Sequence, residues 1–155
     1  MEVIYIFTMF TRQVPIMSQV ATITFVEGSS VPSVDLDDIK QQLQHYREQF
    51  TRTGEQLDWT YADAAFPYTI EQKPEAEGKW FYLKATGSKY RHIVLGPGSS
   101  SKEDSERHYV QLVLPDDSTI GDKNKGNEFA KYLGKVWRAE VQLFNGRIIY
   151  YNPRK

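Results

Sequence analysis

The sequence predicts an α+β domain, an antiparallel sheet with two helices packed on one face, in the order β-α-β-β-β-β-α-β-β. Three observations carry that prediction. The 155 residues show no composition break that would divide them, and a chain of that length buries enough surface to need no staple. Several β-rich runs are joined by short polar turns, which argues hairpins and hence antiparallel pairing. One segment places apolar residues at alternating spacings of three and four, the period of a helix with one buried face.

The elements follow in chain order. Residues 20–26 are β-rich and end at Glu27-Gly28-Ser29-Ser30, a loop signal. Asp35, Asp37 and Asp38 then put acid where a helix macrodipole favours it, and Asp35 with Asp38 has the spacing of a capping pair. Leu36, Ile39, Leu43, Tyr46 and Phe50 form the stripe of a helix of about five turns, with Gly54 as its expected stop. Residues 57–68 read as a packed connector rich in rings, in which Thr60 and Asp63 could cap one helical turn. Strands are expected at 68–72 and 79–84 around a polar turn at 73–78, then at 90–95. Gly96 to Ser101, with the charged residues after it, reads as an exposed flexible loop. A strand at 107–114 precedes Pro115-Asp116-Asp117-Ser118, and a second helix falls within 122–136. The last two strands, 141–144 and 147–151, flank Asn145-Gly146, the signature of a two-residue type I′ hairpin.

That turn fixes an expected register. It pairs Phe144 with Arg147, Leu143 with Ile148, Gln142 with Ile149 and Val141 with Tyr150. Val141, Leu143, Ile148 and Tyr150 then face the core. Phe144, Ile149 and Tyr151 lie on a second face too apolar for solvent. The expectation is that this face docks a second copy of the chain, in a two-fold homodimer, or a partner protein.

Composition excludes several function classes. There is no cysteine, so disulfides, thiol catalysis and thiolate zinc sites are ruled out, and a reducing compartment is compatible. Net charge is −1, so no nucleic acid or anionic membrane partner is expected. The charge alternates in blocks nonetheless. Residues 27–63 hold eight acids and three bases, 64–102 three acids and six bases, 103–128 seven acids and three bases, and 129–155 one acid and six bases. Such blocks pair internally or make a bipolar docking surface. Aromatic residues make up 14% of the chain, more than one small core encloses, so some rings are expected at a surface or a cleft.

The chemistry-bearing residues form no catalytic motif. His45, His92 and His108 have no metal-ligand spacing, and no cofactor or metal site is expected. Ser99-Ser100-Ser101 lacks the context of a nucleophile elbow. Gly121 to Gly126 lacks the Lys-Ser/Thr ending of a phosphate loop, which leaves Lys123 and Lys125, near a helix start, as a candidate anion site. Basic and aromatic residues interleave at 79–84 and 89–92, as in single-strand nucleic-acid binders, but the ribonucleoprotein pattern is missing and amphipathic strands explain them. Two functional readings result. The favoured one is a non-enzymatic binding or assembly domain. The alternative is a small enzyme or small-molecule binder with an aromatic cleft of Trp59, Tyr61, Phe66 and Tyr68, with His92 or His108 as its acid–base group.

Several segments carry a family resemblance. These are Thr53-Gly54-Glu55-Gln56-Leu57, Ala64-Ala65-Phe66-Pro67-Tyr68, Trp80-Phe81-Tyr82-Leu83-Lys84, Gly121-Asp122-Lys123, Leu143-Phe144-Asn145-Gly146-Arg147 and the ending Tyr151-Asn152-Pro153-Arg154-Lys155. From about Met17 onward the chain resembles the domain-of-unknown-function family 1885, small uncharacterised proteins of Bacillus-like bacteria. The resemblance implies a cytoplasmic protein of α+β fold and brings no activity, cofactor or site residue.

Residues 1–16 stand outside it. Their apolar run, Val3 to Phe10, is far shorter than the ~20 residues of a membrane span. Glu2 and the lack of an A-x-A site argue against a signal peptide. They read as an extension before a domain at 17–155; the alternative is that Ile4, Ile6 and Phe10 form an added strand or lie across a sheet face. A chain beginning at Met17 is expected to melt within about 5 °C of the whole chain in a thermal scan. A larger drop would mean that the extension docks on the domain.

Overall fold

A computed structural model describes residues 19–57, 65–102 and 105–153. The extension at 1–16, the rings of Trp59 and Tyr61, and the cap expected at Thr60 lie outside the described residues. The elements are β1 (Gln19–Thr24), α1 (Leu36–Leu57), β2 (Tyr68–Glu71), a 3-10 turn (Pro74–Ala76), β3 (Phe81–Ala85), β4 (His92–Lys102), β5 (Ser105–Leu114), α2 (Ile120–Trp137), β6 (Glu140–Gln142) and β7 (Ile148–Tyr150). The strands form one seven-stranded antiparallel sheet in the order β2-β3-β4-β5-β1-β6-β7. Fold class and element order are those the sequence predicts.

Strand alternation sorts the sheet into two faces. Ala21, Ile23, Leu83, Ile93, Leu95, Val110, Leu112 and Val141 are fully buried on the face that meets Ile39 and Leu43 of α1 and Phe129 and Leu133 of α2. Each large side chain so enclosed contributes roughly 1.5–3 kcal/mol. The other face carries a smaller cluster, in which Trp80, Val94 and Val113 pack under Ala76 of the 3-10 turn. Gln111 is also on that face and is 0% exposed, with no hydrogen-bond partner for its carboxamide oxygen or nitrogen.

Three local expectations change. Gly54 does not stop α1, which continues to Leu57; a helical glycine costs only about 1 kcal/mol relative to alanine. Gly96 to Ser101 is not a loop but the far half of β4, paired with β5 from Gly96↔Gln111 to Lys102↔Ser105. Beyond Leu95 no strand pairs with the other side of β4 among the described residues. Pro97 is therefore tolerated there as on any edge strand, and an alanine Cβ at Gly98 would come within 2.5 Å of the Tyr109 ring, so glycine makes room for that ring.

The third change is the hairpin register. Val141 pairs with Ile149 and Gln142 with Ile148, one residue away from the expected pairing. The connection has three residues, not two: Gly146 donates to the Leu143 carbonyl at 2.9 Å and Leu143 to the Arg147 carbonyl at 2.8 Å. Gly146 has φ +90° but Asn145 does not have positive φ, which is a type I turn followed by a left-handed glycine. A one-residue slip exchanges the faces of a strand. Ile148 and Tyr150 point outward, 44% and 46% exposed. Phe144, Ile149 and Tyr151 pack against the chain's own core.

Two glycines of α2 admit that hairpin. A Cβ on Gly126 would come within 2.7 Å of the Phe144 ring, and one on Gly134 within 2.1 Å of Val141 Cγ2 and 3.2 Å of Tyr151. Alanine at 134 gains about 1 kcal/mol of helix propensity, but overpacking against a buried strand costs about 1–3 kcal/mol. Gly134→Ala is expected to lower the stability measured by urea unfolding, while Gly87→Ala, whose Cβ meets nothing within 4 Å, stays near neutral. A more stable Gly134→Ala protein would contradict this packing.

Candidate functional site

The sequence-predicted site residues are dispersed. Phe66 and Tyr68 line no cleft: they are 3% and 0% exposed, with Phe66 against Phe129 at 5.3 Å and Tyr68 against Phe129 at 6.0 Å between ring centres. The ring surplus is absorbed here, as Tyr46 adds edge contacts to Phe129 and Tyr132. His92 and His108 are not neighbours. His108 pairs with Ser99, seven residues along β4 from His92, or about 23 Å at 3.3 Å per residue. Alternation also puts them on opposite faces, since His108 is in phase with Val110 and His92 with Val94. Among the described residues no three of His, Asp and Glu converge as a metal site requires.

The start of α2, beside the candidate anion site at Lys123 and Lys125, is capped by the chain's own side chains. Thr119 and Asp122 form a capping box: Asp122 N–H donates to Thr119 Oγ1 at 3.1 Å, and Thr119 N–H to Asp122 Oδ2 at 3.0 Å. The Asp122 carboxylate, fully buried, also accepts from the Tyr68 hydroxyl at 2.5 Å and from Arg91 N–H at 2.9 and 3.1 Å. The chain thus supplies its own anion where a bound one would sit. Lys125 is turned to Glu128 at 3.2 Å. Burial, and then the bond to Asp122, push the Tyr68 phenol far above its ordinary range.

His92 keeps a small polar setting on the outer face. Its Nε2 is 3.6 Å from Asp117 Oδ1, its ring stands edge-on to Tyr82 at 6.4 Å, and Lys73 lies over Tyr82 at 5.1 Å. Burial lowers its pKa, and Asp117 partly opposes that.

The helix layer holds a feature that no sequence motif marks. An open groove runs between α1 and the C-terminal part of α2. Its wider part, about 590 Å³, is lined by Gln42, His45, Gln49, Tyr132, Lys135 and Val136. A second part of about 310 Å³ continues from Gln42 and Val136 to Asp38, Val31, Val34 and Trp137. One wall is polar. Asp38, Gln42, His45 and Gln49 recur at spacings of four, three and four, a second stripe beside the apolar one. The floor is apolar, with Val136 36% exposed.

Both walls are fixed. Lys40 donates to the Gln72 side chain at 3.0 Å, tying α1 to the segment after β2. The end of α2 is stapled to the loop after β1. Ser30 N–H donates to the Trp137 carbonyl at 2.8 Å, Ser30 Oγ to the Val136 carbonyl at 3.1 Å and Ser29 Oγ to the Arg138 carbonyl at 3.1 Å. Arg138 closes the helix at φ +52°. These bonds satisfy carbonyls that a helix end leaves orphaned.

Comparison with known proteins adds family and fold. The family model described as domain of unknown function (DUF1885) matches residues 19–153. A crystal structure of a protein of unknown function from Bacillus stearothermophilus is 34% identical to this chain, with a TM-score of 0.53, over 78% of this chain and 91% of that one. No curated protein matches. No described helix is long and apolar enough to cross a membrane.

One titration tests the geometry at His92. Folding favours its neutral imidazole, so its share of stability is complete above its ordinary pKa of 6.5 and is lost as pH falls through the depressed folded value. An NMR titration is expected to place His92 below 6.5, and Asp117→Asn to lower it further. A midpoint above 6.5 would show that Asp117, not burial, governs the ring.

Proposed function

As the chain belongs to the DUF1885 family, for which no activity is established, we propose that it is a non-enzymatic binding domain of the bacterial cytoplasm, and that its binding surface is the groove between α1 and α2. The absence of cysteine from the chain is compatible with that compartment. The observation that carries the reading is the groove itself: an apolar floor at Val136 beside a wall of Gln42, His45 and Gln49. Specific sites combine an apolar surface with a few polar groups that orient the ligand. The combined span, about 590 and 310 Å³, suits a small molecule or a short peptide.

Acid–base chemistry at His92 is the alternative, and its support is the lowered pKa beside Asp117. Of the aromatic cleft it was expected to share, Phe66 and Tyr68 belong to the core on the other side of the sheet.

The test is amide chemical-shift mapping with a library of small polar and aromatic fragments. Binders are expected to perturb Gln42, His45, Tyr132 and Val136, and Val136→Arg, at an exposed position, to abolish those shifts while the rest of the spectrum is unchanged. Perturbations that cluster at His92 and Asp117 and survive Val136→Arg would replace this reading with the alternative.

A further inference from the structure

We infer that the outer face of the sheet at Gln111 is the docking surface of this chain's own residues 1–16. This face is on the opposite side of the sheet from the groove, so the two readings stand or fall separately.

The second half of β5 is buried on both faces. Val110, Leu112 and Leu114 join the core under the helices, whereas Tyr109, Gln111 and Val113 point the other way and are 6%, 0% and 1% exposed. An antiparallel sheet with one face in water exposes such residues. Both helices pack on the first face. On the second, the described residues that join the apolar cluster from outside the strands are Ala76 and Trp80, beside Val94 and Val113. Gln111 itself is flanked across the sheet by Gly96, which has no side chain, and by Thr22, which has a short one. Its enclosure calls for a further layer over this row.

The carboxamide says what that layer must offer. Neither its oxygen nor its nitrogen has a hydrogen-bond partner among the described residues, and a buried polar group left so is destabilising. One peptide group of a crossing chain supplies the donor and the acceptor together. Val20, Val94 and Val113 beside it suit a segment with apolar side chains.

Residues 1–16 have that character and the right point of attachment. No charged residue lies between Glu2 and Arg12, and Val3, Ile4, Ile6, Phe7 and Phe10 are apolar. The chain enters β1 at Gln19, opposite Leu114, so the segment before it starts beside Val20 and Val113, at the border of the outer cluster. Reach is ample. The face measures about 13 Å from Val113 to Tyr109 and about 14 Å across the three strand spacings from β1 to β3, and sixteen extended residues cover about 53 Å. The family match begins at residue 19, so the covering segment lies outside it. Of the two readings of residues 1–16 this takes the docked one, and with it the larger drop in melting temperature when they are removed.

The test uses the whole chain. Because it has no cysteine, Thr8→Cys or Thr11→Cys carries a single nitroxide, whose broadening of NMR signals reports proximity. The strongest broadening is expected at the Gln111 carboxamide and at the amides of Thr22, Gln111 and Val113. Broadening strongest on the helices, or confined to the first residues of β1 from both positions, overturns the inference. Isotope-labelled chain without nitroxide is then mixed with unlabelled chain that carries it. Broadening of Gln111 in that mixture would assign the cover to a second copy and overturn the assignment to the chain's own segment. Gln111→Leu, of similar volume, should lower the melting temperature of the whole chain. A rise would show a carboxamide with no partner to lose, and the inference would fail.

Discussion

The carboxylate of Asp122 is the contact on which the arrangement of the helix layer depends. A buried charge is tolerated only where its lone pairs are filled. Here Tyr68, the backbone of Arg91 and the backbone of Thr119 fill them together. One side chain thereby joins the first turn of α2 to the strand β2 and to the connection between β3 and β4. Removing either the Tyr68 hydroxyl or the carboxylate leaves the other buried without its strongest partner, at a cost on the order of 1–3 kcal/mol.

With its start pinned at Asp122, α2 is held along its length by contact and at its end by the Ser29 and Ser30 caps. Gly126 and Gly134 let Phe144, Val141 and Tyr151 approach the helix closely. The far side of the helix is left to α1, which meets it through the Tyr46 and Tyr132 rings at 5.0 Å. The groove lies between the two helices, with Tyr132 and Val136 of α2 facing Gln42, His45 and Gln49 of α1. The site is a consequence of where α2 is fixed, and its lining comes from both helices and from the connection between β1 and α1.

The sequence made the architecture legible because hydrophobic period and turn residues act locally. The stripe from Leu36 to Phe50 and the polar turns between the β-rich runs are visible without any tertiary knowledge. What it hid was decided by contact between distant residues. Asn145-Gly146 favours a two-residue turn by itself, yet the packing of Phe144 over Gly126 and Tyr151 over Gly134 accompanies a register one residue away. Gly96 to Ser101 reads as a loop until Tyr109 is seen lying over Gly98. Asp122 reads as a helix-start residue, and only the fold brings Tyr68 to it from 54 positions away. The groove's polar stripe was readable as a spacing, Asp38, Gln42, His45 and Gln49, but resembled an ordinary solvated face until α2 was set opposite. Gln111 had no signal, since alternation says which face a residue takes and not whether that face is covered.

Native-state hydrogen exchange tests directly whether α2 is the fixed element around which the groove is built. Protection of its amides should match that of the central strands β1 and β5, so that α2 opens only when the whole domain unfolds. In Asp122→Asn the amides of Arg91, Thr119 and the first turns of α2 should lose protection before those strands do. Exchange of α2 through a local opening in the unaltered protein, at a free energy well below that of β1 and β5, would contradict the account.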